Sequence, residues 1–585
     1  MIFRSFQLIP IFKIIQIMRH IFALNKSYLH VSGRILITAF CLFNLSVVSS
    51  QNICSKSPLM GWASWNNFSV KISESIIEAQ ADGMVFSGLA AAGYKYINID
   101  DGFFNGRYDD GTLRIDSVKF PHGMKALAEY IHAKGLKAGI YTEAGSNTCG
   151  AVYNNQAGGV GAGLLGHDQQ DIDLFLKTWG YDFIKVDYCS GKEQLLDEKT
   201  RYSEIKKAID NTGIPGISYN VCRWQFPGSW VTKLANSWRI SEDVNASWQS
   251  VMYVIDKDTY LAPYASQGHY NDMDMLEIGR GLSTEEDKSY FSMWCILSAP
   301  LVLGNNLTKI TEYTKNIITN AEVIAVDQDT TGTQGHLVSD NDEGLQVWAK
   351  NLNGKQSRER AVVLFNRSPA AAVMTVKWKD LNLAGIISAR DLWSHTNMEI
   401  KDSMFKEVVP SHGVIMLKVT GTKTKLQEVF EAEYAWINNF NLTQFGVNVP
   451  GQGNVLIDTI CSGRAKVTSL GKSIDNYIEF RDIFANNAGR YHMTISYLCN
   501  EIRNATLSVN GVDTLLTQLK PGGPNTIVNC TLSVKLNKGY NTIRISNPTE
   551  SLPEIDKIQL DLNPVTFEER TIKFIKKIKR LLKPA

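Results

Sequence analysis

Between Pro58 and Gln328, short apolar, β-branched and aromatic runs alternate with longer stretches whose apolar positions recur every three to four residues. Strands are predicted at 60–62, 96–99, 137–141, 183–186, 217–220, 238–240, weakly at 268–270, and at 301–303. Amphipathic helices are predicted at 73–93, 124–134, 170–179, 198–211 and 285–298. Eight strand-then-helix units in about 270 residues match the size and rhythm of a (β/α)8 TIM barrel, placed over 52–335. A doubly wound open sheet is the alternative. Past Asp329 the helical period gives way to alternation in twos. Short strands near 345–348, 361–365, 372–376 and 414–417 predict a small antiparallel β-domain over 336–420. The polar stretch Gly421–Lys425 reads as a linker. Strands near 477–480, 491–497 and 541–545 predict a jelly-roll-like β-sandwich over 428–563. The basic tail, 564–585, mixes Lys and Arg with Ile, Phe and Leu at helical spacing. A solvated helix and a helix touching a membrane or nucleic acid both fit it.

A chain of 585 residues calls for two to four domains. A formal net charge of +2 gives no reason to expect nucleic acid as a partner. Near the N-terminus, Arg34 precedes the apolar run Ile35–Phe43, and Val48-Ser49-Ser50 precede Gln51. This reads as a signal peptide over 1–50, with Met18 as an alternative start, and so as a secreted or periplasmic protein. A membrane anchor is the competing reading, but the run is short for a span. Nine Cys without a CxxC pair give no zinc spacing, and export permits disulfides.

In a barrel the chemistry lies at the C-terminal strand ends. There the sequence offers Trp62, Asp100, Asp101, Tyr141, Lys185, Asp187, Arg239, Glu242, Asp243 and Asp274. Paired carboxylates for displacement, charged groups to grip hydroxyls and rings to stack are what glycoside cleavage needs. A divalent-metal site is the rival reading. No His stands at a strand end in the strong units, and His167 and His269 read as loop residues.

The motifs Pro58-Leu59-Met60-Gly61-Trp62, Asn98-Ile99-Asp100-Asp101, Phe120-Pro121-His122-Gly123, Gly135 to Tyr141, Lys185-Val186-Asp187-Tyr188-Cys189, Trp238-Arg239 with Asp243, and Asn271 to Leu276 resemble, in order, those of glycoside hydrolase family 27, the α-galactosidase (melibiase) family. The resemblance implies a barrel followed by an antiparallel β-domain. It also implies a retaining exo-hydrolase of terminal α-galactosyl residues, needing no catalytic cofactor. Asp187 would be the nucleophile and Asp243 the acid/base. Asp100 and Asp101 would bind the 6- and 4-hydroxyls, Lys185 the 3-hydroxyl and Arg239 the 2-hydroxyl. Trp62, Tyr141 and Asp274 would line the pocket, and Cys149 and Cys189 would form a disulfide. Lys185 is expected to keep Asp187 ionised, and the surroundings of Asp243 to raise its pKa.

Cys222-Arg223-Trp224 departs from the family pattern and puts a cation, Arg223, where the 2-substituent is read. An α-N-acetylgalactosaminidase, a β-L-arabinopyranosidase and a non-catalytic sugar-binding protein stay open as alternatives. The last domain resembles carbohydrate-binding modules of families 6 and 35, through Phe430-Glu431-Ala432-Glu433, Gly489-Arg490-Tyr491 and Gly539 to Arg544. That resemblance implies polysaccharide binding and a structural calcium, for which Glu431, Glu433 and Asp561 are candidate ligands. A purely structural sandwich is the other reading.

Overall fold

The computed structural model describes residues 56–341, 343–398, 400, 402–440 and 451–563. The expected signal peptide and basic tail lie outside them. Eight parallel strands curl into a barrel: β1 (Met60–Ala63), β2 (Tyr96–Ile99), β3 (Lys137–Glu143), β4 (Phe183–Asp187), β5 (Ser218–Val221), β6 (Ser237–Arg239), β7 (Tyr270–Asp272) and β8 (Leu301–Leu303). They run in the order β8-β1-β2-β3-β4-β5-β6-β7, and a parallel bridge between Leu276 and Leu303 closes the ring. The strands are short and nearly all buried, as expected of a sheet covered on both faces. On β3, a Cβ at Gly139 would sit 1.9 Å from Asn98 Oδ1, so only glycine lets these strands carry a polar side chain between them.

The covering helices are α1 (Glu74–Phe86), α2 (Gly123–Ala133), α3 (Asp168–Asp173, continued by a π-turn over Leu174–Thr178), α4 (Glu198–Asn211), α5 (Trp248–Asp258), α6 (Thr284–Ile296), α7 (Glu312–Ile318) and α8 (Ala321–Asp327). Side chains stop several of them where the sequence supplies a capping oxygen. Ser73 accepts from Ile76 N, Asp197 from Thr200 N, and Ser283 forms a capping box with Glu286. No helix follows β5. Its connection is an irregular loop ending in a 3₁₀ turn, Ser229–Lys233.

The second region comprises β9 (His336–Asp340), β10 (Leu345–Leu352), β11 (Glu359–Asn366), β12 (Ala372–Lys377), β13 (Leu383–Asp391), β14 (Thr396–Met398), β15 (Met404–Val409) and β16 (Val414–Thr424). The main sheet is ordered β9-β10-β11-β16-β13-β14, and β12 pairs with β15. The stretch expected to be a linker is the end of β16, where Thr424 pairs with Leu383 and Lys423 with Ala384. Its polarity reflects exposure of the strand end, not absence of structure.

The third region is a sandwich of β17 (Val429–Glu431), β18 (Trp436–Ile437), β19 (Asn454–Ile457), β20 (Ala465–Thr468), β21 (Ile478–Ala485), β22 (Gly489–Leu498), β23 (Arg503–Val509), β24 (Val512–Leu519), β25 (Val528–Leu536), β26 (Gly539–Ser546) and β27 (Glu554–Asp561). One sheet runs β19-β20-β27-β22-β25, with β17 also on β27. The other runs β18-β21-β26-β23-β24. The sandwich packs on the barrel through rings: Tyr264 stacks on Phe440 and meets Trp436, and Tyr260 meets Tyr434.

Candidate active site

The strand registers level the barrel so that the chemistry collects at one rim. Tyr141 lies opposite Lys185, Glu143 opposite Asp187, Lys185 opposite Asn220, and Arg239 opposite Asp272. A cavity of about 470 Å³ opens there, walled by Asn98, Asp100, Tyr141, Lys185, Asn220, Arg239, Asp272, Asp274 and Met275.

Asp187 ends β4, buried. Its Oδ1 accepts no hydrogen bond, and the Lys185 ammonium lies 3.4 Å from it. Lys185 also donates to Asp100 Oδ2 at 3.0 Å and sits over the Tyr141 ring. Burial pushes the Asp187 carboxyl above the usual carboxylate range, and Lys185 opposes that push without cancelling it, which is less than the sequence led one to expect of the lysine. Burial would strip the Lys185 proton, but Asp100 and Asp187 more than restore it, so the side chain stays a cation.

Asp243 lies four residues past the end of β6, with its side chain 57% exposed. Its Oδ1 accepts from Arg239 Nη2 at 2.8 Å and from the Trp224 indole at 2.9 Å. Burial works to raise this carboxyl, but Arg239, Lys185 and the Trp224 N–H outweigh it and hold it below the usual carboxylate range. This reverses the expectation from sequence. The reason is the guanidinium, which contacts Asp243 directly.

Arg239 also pairs with Asp274 at 3.1 Å, and its Nε is buried without a partner. Asp274 accepts from Val244 N, and its backbone is left-handed at φ 73°. Trp224 is left-handed too, at φ 61°. Such backbone costs about 1–3 kcal/mol and persists where the surroundings enforce it.

Asp100 takes a backbone bond from Asp101 N, and its own N–H donates to Ser64 Oγ. Asp101 is fully buried, with Oδ2 accepting from Gly150 N and Oδ1 from Gly102 N. Burial pushes its carboxyl up to about 6. It ties the β3 loop to the site more than it faces the cavity. Trp62 is buried below the rim, its indole donating to Asn305 O. Tyr141 accepts from Cys149 N.

Cys149 and Cys189 are joined in a disulfide between the loops after β3 and β4. Beside it Glu143, fully buried, accepts from Gly145 N, Gly191 N and Cys189 N. Burial pushes its carboxyl up to about 8.

The structure places Arg223 away from the cavity. Its guanidinium pairs with Glu198 at the start of α4. Cys222, buried, and Trp224 instead face the carboxylates, with Cys222 Sγ 3.8 Å from Arg239 Nη1. Asn220 and Asp272 also belong to the wall, bonded at 2.8 Å. Their strand-end position was the available signal for both.

In the sandwich, Glu433 is buried with neither carboxylate oxygen hydrogen-bonded, and Asp556 Oδ2 also accepts no hydrogen bond, with the Lys557 ammonium 3.8 Å away. Ser462 Oγ bridges Glu431 and Asp556. Asp561 stands apart, exposed, accepting from Asn563. It lies five residues beyond Asp556, roughly 16 Å along an extended strand.

Two family models match the chain. One, described as "Alpha galactosidase A", matches residues 57–329, and the other, "Alpha galactosidase C-terminal beta sandwich domain", matches 342–419. Alpha-galactosidase 2 of Arabidopsis thaliana is 40% identical over 373 residues, 63% of this chain and 90% of that protein. Alpha-galactosidase of Oryza sativa subsp. japonica is 40% identical over 366 residues, 62% of this chain and 84% of that protein. The crystal structure of alpha-galactosidase I from Mortierella vinacea superposes with a TM-score of 0.59 at 34% identity, covering 64% of this chain and all of that one.

Proposed function

The chain belongs to the α-galactosidase (melibiase) family and is an α-galactosyl hydrolase, and we propose that it acts by double displacement with net retention, Asp187 attacking and Asp243 moving the proton. The observation that carries this reading is Asp187 Oδ1: buried, free of hydrogen bonds, beside a lysine that keeps negative charge affordable there. A cavity of this size suits one terminal sugar.

In the first step Asp187 bonds to the anomeric carbon while Asp243 protonates the departing oxygen. In the second, Asp243 takes a proton from water, which attacks the same carbon and releases Asp187. Asp243, held ionised by Arg239 in the free enzyme, already has the form the second step needs. For the first, a bound sugar excludes water from its exposed carboxyl and so raises its pKa. Asp100, Lys185 and the unpartnered Arg239 Nε are placed to grip sugar hydroxyls. With Arg223 tied to Glu198, the 2-position falls to Cys222 and Trp224. Proton NMR of the first-formed product tests the reading: α-galactose first supports retention, β-galactose first overturns it. Asp187→Asn should abolish turnover on every α-galactoside.

The Cys149–Cys189 disulfide fits a protein exported to an oxidising compartment. Among the described residues no helix is long and apolar enough to cross a membrane. We read the sandwich as a carbohydrate-binding module. Tyr540, 49% exposed and backed by Phe484, offers a ring for stacking. The oxygens of Glu433 and Asp556 that accept no hydrogen bond, with Glu431 beside them, fit calcium, a hard cation taking oxygen ligands. Those three would hold the ion, which would neutralise their mutual repulsion. Asp561 is too far to join them.

A further inference from the structure

Six of the other barrel strands lead into a helix of at least six residues that closes the following loop, and β8 leads into α7 and α8; β5 alone does not. Between Arg223 and Gly228 the chain has no regular secondary structure, yet it must hold Trp224 in left-handed backbone with its indole on Asp243.

The support comes from outside the barrel. Phe226, two residues past Trp224, is buried between Tyr264, at 4.8 Å between ring centres, and Phe440 of the sandwich, at 6.2 Å. Tyr264 stacks on Phe440 at 5.8 Å and donates its hydroxyl to Ile437 O at 2.8 Å. Farther along the same loop, the Ser229 hydroxyl donates to Asn438 O. The segment 436–440 thus pins the loop at two points, and a shift of the loop would move the one indole that bonds Asp243.

We propose that the sandwich is part of the catalytic apparatus, with Phe440 a positioning residue that acts through Phe226 and Trp224 to hold Asp243 in place for proton transfer. This rests on the reading of Asp243 as the acid/base.

The test is kcat/KM of the full-length enzyme on two substrates. A 2,4-dinitrophenyl α-galactoside leaves without a proton, and a trisaccharide with terminal α-galactose needs one. Phe440→Ala and Trp224→Phe should each lower the trisaccharide value about tenfold and the dinitrophenyl value little, since misplacing a proton donor harms only the step that uses it. Phe440→Leu should fall between Phe440→Ala and the parent. Lys355→Ala, which removes the ion pair to Asp482 elsewhere on the sandwich, should change neither value. Equal losses on both substrates, or no loss, in the Phe440 variants would overturn the proposal. If Phe440→Ala does not fold, Phe440→Leu decides on the same criterion. Asp243→Ala is run alongside: if it lacks the leaving-group split, the acid/base assignment fails, not the role of Phe440.

Discussion

Lys185 precedes Asp187 by two residues on β4, so both side chains emerge on one side, and its ammonium rests 3.4 Å from Asp187 Oδ1. Burial raises the Asp187 carboxyl and Lys185 lowers it. Lys185→Ala removes the larger lowering influence and leaves burial in place. Asp187 then ionises at higher pH, and the acidic limb of the kcat/KM profile should move upward by about one to three pH units. A limb that stays put, or moves to lower pH, counts against Asp187 as the group that must be ionised.

Removing the proton donor should separate the two half-reactions. Asp243→Ala is expected to retain glycosyl transfer from dinitrophenyl α-galactoside but to lose turnover of trisaccharides by about 10²–10⁴-fold. Added azide, needing no base, should attack the intermediate and give an α-galactosyl azide. A β-azide would show that no covalent intermediate had formed.

The disulfide closes a loop of 40 residues that runs from the connection after β3, through β4, to the connection after it. Chain entropy assigns such a cross-link about 4 kcal/mol. Cys149→Ser with Cys189→Ser should therefore lower the melting temperature by several degrees. Calorimetry showing no change would mean that Glu143, which holds the same two loops, suffices without it.

The carboxylates of the sandwich predict a crossing of stabilities. Burial and Glu431 both raise the Glu433 carboxyl, so without calcium Glu433→Gln should be at least as stable as the parent. At calcium a hundredfold above its dissociation constant, the parent gains about 2.7 kcal/mol, and the variant should not follow. Thermal unfolding in EDTA and in millimolar calcium checks both halves.

Much of the barrel was legible because its strands are apolar throughout and its helices keep their period. The helix α4 spans 198–211 in both readings. The strand β7 was displaced by two residues, since its apolar content is a single tyrosine. α5 escaped, although Val251, Val254 and Ile255 are buried along one face. Strand ends located Asp187 and Asp243, but periodicity does not reveal which way an irregular loop turns. Cys222 and Trp224 face the carboxylates while Arg223 between them turns away to Glu198, the split that side chains alternating along an extended stretch would give, but the sequence does not say which of the two sets faces the site. Asp556, not Asp561, joins Glu431 because β27 pairs with β17 in a register that sets Glu431 against Lys557. Registers between distant strands are tertiary facts.

The ring cluster around Tyr264 also bears on how this enzyme can be re-engineered. Cut after β16, the barrel would present Phe226, Tyr260 and Tyr264 to water as one aromatic patch, an invitation to self-association. Exchanging the sandwich for a different sugar-binding head would leave the same wound unless the newcomer supplied counterparts of Tyr434, Trp436 and Phe440. A graft succeeds only where the seam is copied with it.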